Sequence, residues 1–336
     1  MANSAAMDSI RHLPAVYVSS YYFPDLGKFV RQALPEANVV ELKASKQDVG
    51  LVIDTEDMRA HGNEVEVLFC DTGLVKGGLD AFPALRWLQA KSAGVNLITK
   101  QYCREKRPSF RLTRIPCTGD LVSEYVITYI LANEKRVFPM YEAQRDRQWK
   151  QVPHHIPVVV IGTQVGRRCK QFGMTVIGVT KQVRTEERMQ HDAVDQYVTI
   201  ESLDEVLATV DYICCCLPGT PDTANMLSGD ILKACCQKKP VFINTGRGDL
   251  IDEITLVTAI REGWLGGAVL DVNPTEPLPP DSPLWTLQNV LITPHISGYT
   301  RDPRHIQRYV DVFVENYRRY CDGQPLMYEV DFEKGY

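Results

Sequence analysis

The sequence predicts an α/β chain made of two doubly wound parallel-sheet domains, and three observations predict it. Short apolar runs alternate with helical stretches from the start of the chain, a long amphipathic stretch interrupts them, and past Trp149 the alternation begins again. A parallel sheet covered by helices is the arrangement that buries such runs.

In the first part the runs are AVYVSS (15–20), NVVELK (38–43), VEVLFC (65–70) and LRWLQA (85–90), with a helix near 24–34 after the first and a turn at Ser92, Ala93 and Gly94 after the last. From Leu121 to about Arg145 apolar residues recur at helical spacing behind Asp120, a candidate cap, which predicts a helix long enough to link two domains. The second part reads PVVVIG (157–162), MTVIGVT (174–180), QYVTI (196–200), DYICCCLP (211–218), PVFINTG (240–246), GAVLDV (267–272) and VLITPH (290–295). Such nearly continuous apolar runs suit strands buried on both faces. A last helix, about Pro303 to Cys321, and the tail QPLMYEVDFEKGY return the chain to the first domain. The expected organisation is a discontinuous domain of 1–120 plus 298–336, and a second domain of 121–297 that carries the linker helix and binds the cofactor.

Composition narrows the function. A chain of 336 residues with 44% hydrophobic and 24% charged residues is long enough for two cores. The net charge is -5 and no Lys/Arg run would neutralise successive phosphates, so nucleic acid is not an expected partner. No apolar stretch approaches the roughly 20 residues that span a bilayer. The opening MANSAAMDSIRHLPAVYVSS has neither a signal-peptide core nor an Arg-rich amphipathic pattern, so no membrane and a cytoplasmic location are expected. The ten cysteines include Cys214, Cys215 and Cys216 in succession, and no C-x-x-C occurs. Neighbours on a strand point to opposite faces, so these read as buried free thiols, with no metal site.

Ligands of open α/β sheets gather beyond the carboxyl ends of the strands, where NTGRGDLIDE (244–253), LDVNPTEPLP (270–279) and TPHISGY (293–299) fall. A small 2-keto acid needs a cation for its carboxylate, and Arg247 offers a planar fork matched to one. Its carbonyl oxygen needs an acid, and a histidine such as His295 titrates near neutral pH when a partner such as Glu276 holds its charged form. Taken singly, each of the three also reads as an ordinary surface or loop residue.

These segments, with LRWLQAKSAGVN, FGMTVIGVTK and PLMYEVDFEKGY, closely resemble the D-isomer-specific 2-hydroxyacid dehydrogenases, nearest the glyoxylate/hydroxypyruvate reductases. The resemblance implies a flavodoxin-like substrate domain and a Rossmann cofactor domain. It implies that Arg247 binds the substrate carboxylate and keto oxygen, that His295 donates the proton, and that Glu276 hydrogen-bonds His295. It also implies that the backbone of Ala93 and Gly94 holds the carboxylate, that Asp271 lies beside the nicotinamide, and that Leu217, Pro218, Thr245 and Gly298 border the cofactor. A homodimer formed through the cofactor domain is a further implication.

One departure concerns the G-x-G-x-x-G fingerprint, whose backbone N–H groups hold a pyrophosphate between the first strand and its helix. The chain reads VVVIGTQVGRRCKQFGM, about five residues short after Thr163, with Gly162 and Thr163 left at the cofactor and Val165, Gly166 and Arg167 matching the middle of the family's helix. Losing two or three charge-assisted hydrogen bonds at about 1.5–3 kcal/mol each would turn a micromolar dinucleotide site into a millimolar one or weaker. The shortening reads equally as a genuine variant or as a truncated form of an active enzyme. At the end of the second strand, Thr180, Lys181 and Arg184 replace the acidic residue that selects NAD, which favours a 2′-phosphate and hence NADP. The expected function is an NADPH-dependent reductase of a small 2-keto acid; the alternative is a catalytically impaired relative acting as a binding or regulatory protein.

Overall fold

The computed structural model describes residues 13–47, 50–102, 107–149, 158–160, 163–180 and 193–335, with the backbone alone at 158–160, 163 and 164. It forms two compact units, Met1–Cys117 with Arg301–Tyr336, and Thr118–Thr300.

In unit 1 the strands in chain order are β1 (Val16–Ser19), β2 (Val39–Glu41), β3 (Ala44–Gln47), β4 (Gly50–Ile53), β5 (Val67–Cys70), β6 (Trp87–Ala90) and β7 (Arg111–Thr113). Five of them make a parallel sheet in the order β2-β1-β5-β6-β7, the doubly wound flavodoxin-like order, with Val16 in register with Val67 and Val67 with Trp87. Alternate residues go to opposite faces. Val16, Val18, Val67, Phe69 and Trp87 join one core, and Tyr17, Leu68, Cys70, Leu88 and Leu112 join the other.

The helices of this unit are α1 (Leu26–Ala33), α2 (Thr55–His61), α3 (Asn96–Thr99) and the last helix of the chain, Pro303–Cys321. In that last helix, Asp302 caps the N-terminus by accepting from Arg304 N–H, and Pro303 occupies the first turn, where its missing N–H costs nothing. Ile306, Val310, Phe313 and Tyr317 form its buried stripe, and Phe313 stacks on Phe69 and Trp87 at 4.6 and 5.3 Å. The tail is anchored by Asn316, which bonds both Gln89 and the backbone of Met327, and by Val330 N–H donating to Leu112 at the β7 edge.

Unit 2 begins with α4 (Gly119–Glu134) and α5 (Val137–Arg145). The single linker helix expected from Leu121 to Arg145 is therefore two helices. Arg136 takes a left-handed backbone with φ 54°, which ends α4 and redirects the chain. Asp120 is not the cap: Thr118 holds the N-cap position without a side-chain bond, and Asp120 sits inside the first turn, where its charge still suits the helix dipole.

The strands β8 (Val158–Val160), β9 (Thr175–Thr180), β10 (Gln196–Thr199), β11 (Tyr212–Cys215), β12 (Val241–Asn244), β13 (Gly267–Leu270) and β14 (Val290–Ile292) are all parallel, in the order β10-β9-β8-β11-β12-β13-β14. This is the Rossmann order with one further strand. α6 (Thr163–Gln171) and α4 cover one face with Val126, Ile130, Val165 and Cys169. α7 (Leu203–Leu207) and α8 (Glu253–Arg261) cover the other with Leu207, Leu256 and Ile260. The last helix of the chain is α9.

The crossover after β8 is as compressed as the sequence suggests. β8 ends at Val160 and α6 begins at Thr163, and the nine residues of α6 rise about 14 Å at 1.5 Å each. Gly166 lies mid-helix, and a Cβ there would strike the carbonyl of Ala193, so this glycine serves close packing and not a phosphate loop. Consecutive Cys214 and Cys215 are buried on opposite faces, and burial pushes both thiols up. No two of the described cysteines are joined in a disulfide.

Candidate active site

Three neighbouring strands position the candidate residues. β12, β13 and β14 are in register, Asn244 beside Leu270 and Leu270 beside Ile292, so the segments that follow them leave the same edge of the sheet. Parallel strands lie about 4.8 Å apart, which brings residues 247, 276 and 295 into one cluster although almost fifty positions separate the first from the last.

Arg247 is held by the turn after β12. The buried Asn244 side chain accepts from Gly246 N–H at 3.1 Å and donates to Arg247 O at 3.0 Å, clamping the turn from inside. Gly246 has no room for a side chain, since a Cβ would come within 2.6 Å of Leu217 O. Gly248 packs against the backbone of Asn273 in the same way, so the turns after β12 and β13 touch. The guanidinium donates to Gly246 O at 2.6 Å. Burial lowers its pKa, and the charges of Glu276 and Asp249 oppose that.

Glu276 and His295 are paired. His295 Nδ1 lies 2.8 Å from Glu276 Oε2, while Oε1 accepts from Asn273 N–H at 3.0 Å. The Glu276 hydrogen bond is the largest influence on His295 and raises its pKa; burial and Arg247 work against it, and the charges of Glu276 and Asp271 reinforce it. For Glu276 burial acts upward, but His295, Asn273 N–H and Arg247 together outweigh it and hold the carboxyl below its ordinary value. With Nδ1 turned to the carboxylate, Nε2 is left to carry a transferable proton.

The other expected residues are placed as follows. Thr245 donates from its amide to Cys215 O at 2.9 Å and its Oγ1 meets Cys216 Sγ at 3.1 Å. Leu217 and Pro218 follow β11, and the backbone of Leu217 packs on the Gly246 turn. Thr180 ends β9, with Oγ1 donating to Val198 O at 3.4 Å, and Thr163 is the first residue of α6. Gly298 faces Thr118 at ordinary contact distance. Gly162, Lys181 and Arg184 lie outside the described residues. Ala93 and Gly94 belong to unit 1, in the turn after β6, where Ser92 Oγ donates to Gly94 O and Arg114 Nη1 to Ala93 O.

Asp271 has a task that sequence reasoning missed. Its carboxylate, 1% exposed, accepts from Thr293 Oγ1 at 2.6 Å and from Ile296 and Ser297 N–H at 2.8 Å each, while its carbonyl takes His295 N–H at 3.0 Å. Tyr125 on α4 reaches Thr293 Oγ1 at 2.6 Å. Neither Tyr125 nor Thr293 had a sequence signal beyond the latter's place two residues before His295.

Residues 127–297 match the family model described as the NAD binding domain of D-isomer specific 2-hydroxyacid dehydrogenase. Glyoxylate/hydroxypyruvate reductase B of Yersinia pestis bv. Antiqua (strain Nepal516) is 32% identical over 198 residues, 55% of this chain and 60% of that protein. The match thus spans less than two thirds of the curated relative's length. A D-isomer specific 2-hydroxyacid dehydrogenase family protein from Aeromonas salmonicida subsp. salmonicida A449 is similar in structure, with TM-score 0.78 and 29% identity over 95% of this chain and 99% of the other. A D-isomer specific 2-hydroxyacid dehydrogenase from Xanthobacter autotrophicus Py2, solved in complex with NADPH and MES, gives TM-score 0.78 and 25% identity over 96% and 99%. With the family model matching half of its length, the chain belongs to the D-isomer specific 2-hydroxyacid dehydrogenase family.

Proposed function

We propose that the protein reduces a small 2-keto acid of the glyoxylate or hydroxypyruvate type to the D-2-hydroxy acid with NADPH. The observation that carries this reading is the Glu276–His295 contact at 2.8 Å in the cluster that also holds Arg247. Arg247 binds the carboxylate and keto oxygen through its fork, and the hydrogen bond from Glu276 raises the pKa of His295, favouring the charged ring from which Nε2 gives its proton to that oxygen. Glu276 fixes the ring and balances the imidazolium.

The residues of unit 2 fit a dinucleotide at the nicotinamide end. Leu217, Thr245 and Asp271 follow adjacent strands, and Gly246 lets two of their backbones meet. At the phosphate end the first turn of α6, from Thr163, supplies the N–H donors, and Thr180, Lys181 and Arg184 are assigned to the 2′-phosphate. NADPH, when bound, supplies the hydride. The NADPH complex of the Xanthobacter autotrophicus relative supports this choice of cofactor.

We further assign a homodimer formed through unit 2. On α5, Val137, Phe138 and Tyr141 are 48%, 48% and 59% exposed at one helix face, and Trp149 just beyond is 95% exposed. Among the described residues no helix is long and apolar enough to cross a membrane. A cytoplasmic location fits the free thiols, which a reducing compartment preserves.

The test is purified protein with NADPH and glyoxylate or hydroxypyruvate, followed at the nicotinamide absorbance. Turnover that His295→Ala lowers by roughly 10² to 10⁴ fold supports the reading, and a His295→Ala variant with unchanged turnover refutes it. The shortened stretch after Thr163, with α6 already under way at that residue, favours a second reading, an impaired relative that binds or regulates. Calorimetric titration separates the two, since micromolar NADPH binding overturns the second.

A further inference from the structure

His295 sits at an unusual place in the backbone. Its φ is 57°, the left-handed region that a residue with a Cβ disfavours, so the turn after β14 needs an outside hold. Asp271 provides one. It follows β13 directly, so the sheet fixes its backbone, and both carboxylate oxygens are committed to the turn through the amides of Ile296 and Ser297. Thr293 Oγ1 gives its only proton to Asp271 Oδ1. The 2.6 Å contact between Thr293 Oγ1 and the Tyr125 hydroxyl therefore has Tyr125 donating. Burial raises the Tyr125 phenol, which keeps it a donor throughout the working range.

We propose that Tyr125 and Thr293 are positioning residues for the proton donor: the relay from Tyr125 O–H through Thr293 O–H to the Asp271 carboxylate holds the turn that aims His295 at Glu276. The relay ties the turn to α4, 168 positions away, as well as to β13. It rests on the reading of His295 as the group that protonates substrate. The charged groups around the ring are Glu276, Asp271 and Arg247, so its proton affinity reports how closely it is held to Glu276.

The experiment compares wild type with Thr293→Val, Thr293→Ser and Tyr125→Phe. The His295 ring is titrated by NMR in the free protein, and kcat, KM and the solvent isotope effect are measured with NADPH and glyoxylate. In Thr293→Val the His295 pKa falls, Thr293→Ser restores it, and Tyr125→Phe moves it in the same direction by less. In the two disrupted variants kcat drops by roughly 10- to 100-fold, the size expected for a small misplacement of a reacting group, while KM stays within about twofold and the isotope effect rises. If Thr293→Val fails to fold, Tyr125→Phe, which removes one hydroxyl of a half-buried ring, carries the test. Folded Thr293→Val or Tyr125→Phe protein with a wild-type His295 titration overturns the relay. The titration needs neither substrate nor cofactor, so a shifted titration without turnover supports the relay and counts against the proposed function alone.

Discussion

Replacing Glu276 by Gln tests the electrostatic centre of the site. The carboxylate serves two donors, His295 Nδ1 through one oxygen and Asn273 N–H through the other. A carboxamide has a single oxygen, so one donor loses its acceptor, and an NH₂ turned toward the ring can pair with Nδ1 only when Nδ1 is unprotonated. A shielded charge-assisted bond is worth about 1.5–3 kcal/mol. The His295 and Glu276 side chains are 52% and 37% exposed, so solvent screening discounts this to about 1 kcal/mol. The imidazole pKa should fall by roughly 0.5 to 1 pH unit, at about 1.36 kcal/mol per unit.

The direction follows from the wild-type shifts. Glu276 holds the His295 pKa above its ordinary value, and the proposed reduction uses the protonated ring, so kcat should fall as pH rises through that raised pKa. In Glu276→Gln the fall begins at lower pH. The assay is kcat against pH at saturating NADPH and keto acid, and an alkaline limb that stays at its wild-type position refutes the reasoning. Thermal unfolding gives a second check. The stability that His295 contributes is present at low pH and lost as pH rises through its raised pKa. The contribution of Glu276 is present at high pH and lost as pH falls through its depressed pKa. Glu276→Gln should flatten both dependences.

Arg247→Lys keeps the charge and loses the fork, so the KM for the keto acid should rise about tenfold or more with folding intact; steady-state kinetics check this, and an unchanged KM removes Arg247 from the carboxylate. Gly248→Ala pushes a Cβ into the backbone of Asn273 and should cost about 1–3 kcal/mol, read as a fall in Tm of several degrees together with lost turnover, because the Glu276 segment must move. Phe138→Glu combined with Tyr141→Glu should convert the proposed dimer to monomers in analytical ultracentrifugation, since both side chains lie on the exposed face of α5; dimers that persist place the interface elsewhere.

Four strands of the first sheet and all seven of the second were legible as apolar runs, whereas β7 (Arg111–Thr113), with Leu112 as its one apolar residue, was not. VEVLFC and LRWLQA became β5 and β6, buried along their whole length, and DYICCCLP became β11 with its cysteines shared between two cores. The β3–β4 pair was not legible because ASKQ carries no apolar pattern, and among the described residues β3 pairs with β4 alone. The break at Arg136 was hidden because a left-handed residue depends on what surrounds it and leaves apolar spacing intact on either side. Of the site, Arg247, Glu276 and His295 were readable from their segments, and the contact between the last two is a fact of the structure.

By itself the sequence determined the fold class, the lineage and the chemical types gathered at the strand ends, because apolar periodicity and side-chain chemistry are properties of short segments. Only the tertiary structure decided how those groups are held. The register of β12, β13 and β14 brings the three turns together, Asn244 clamps one of them, and Asp271 with Thr293 and Tyr125 clamps another. Those bonds join residues up to 168 positions apart, and no local pattern encodes a contact that exists only once the sheet has formed.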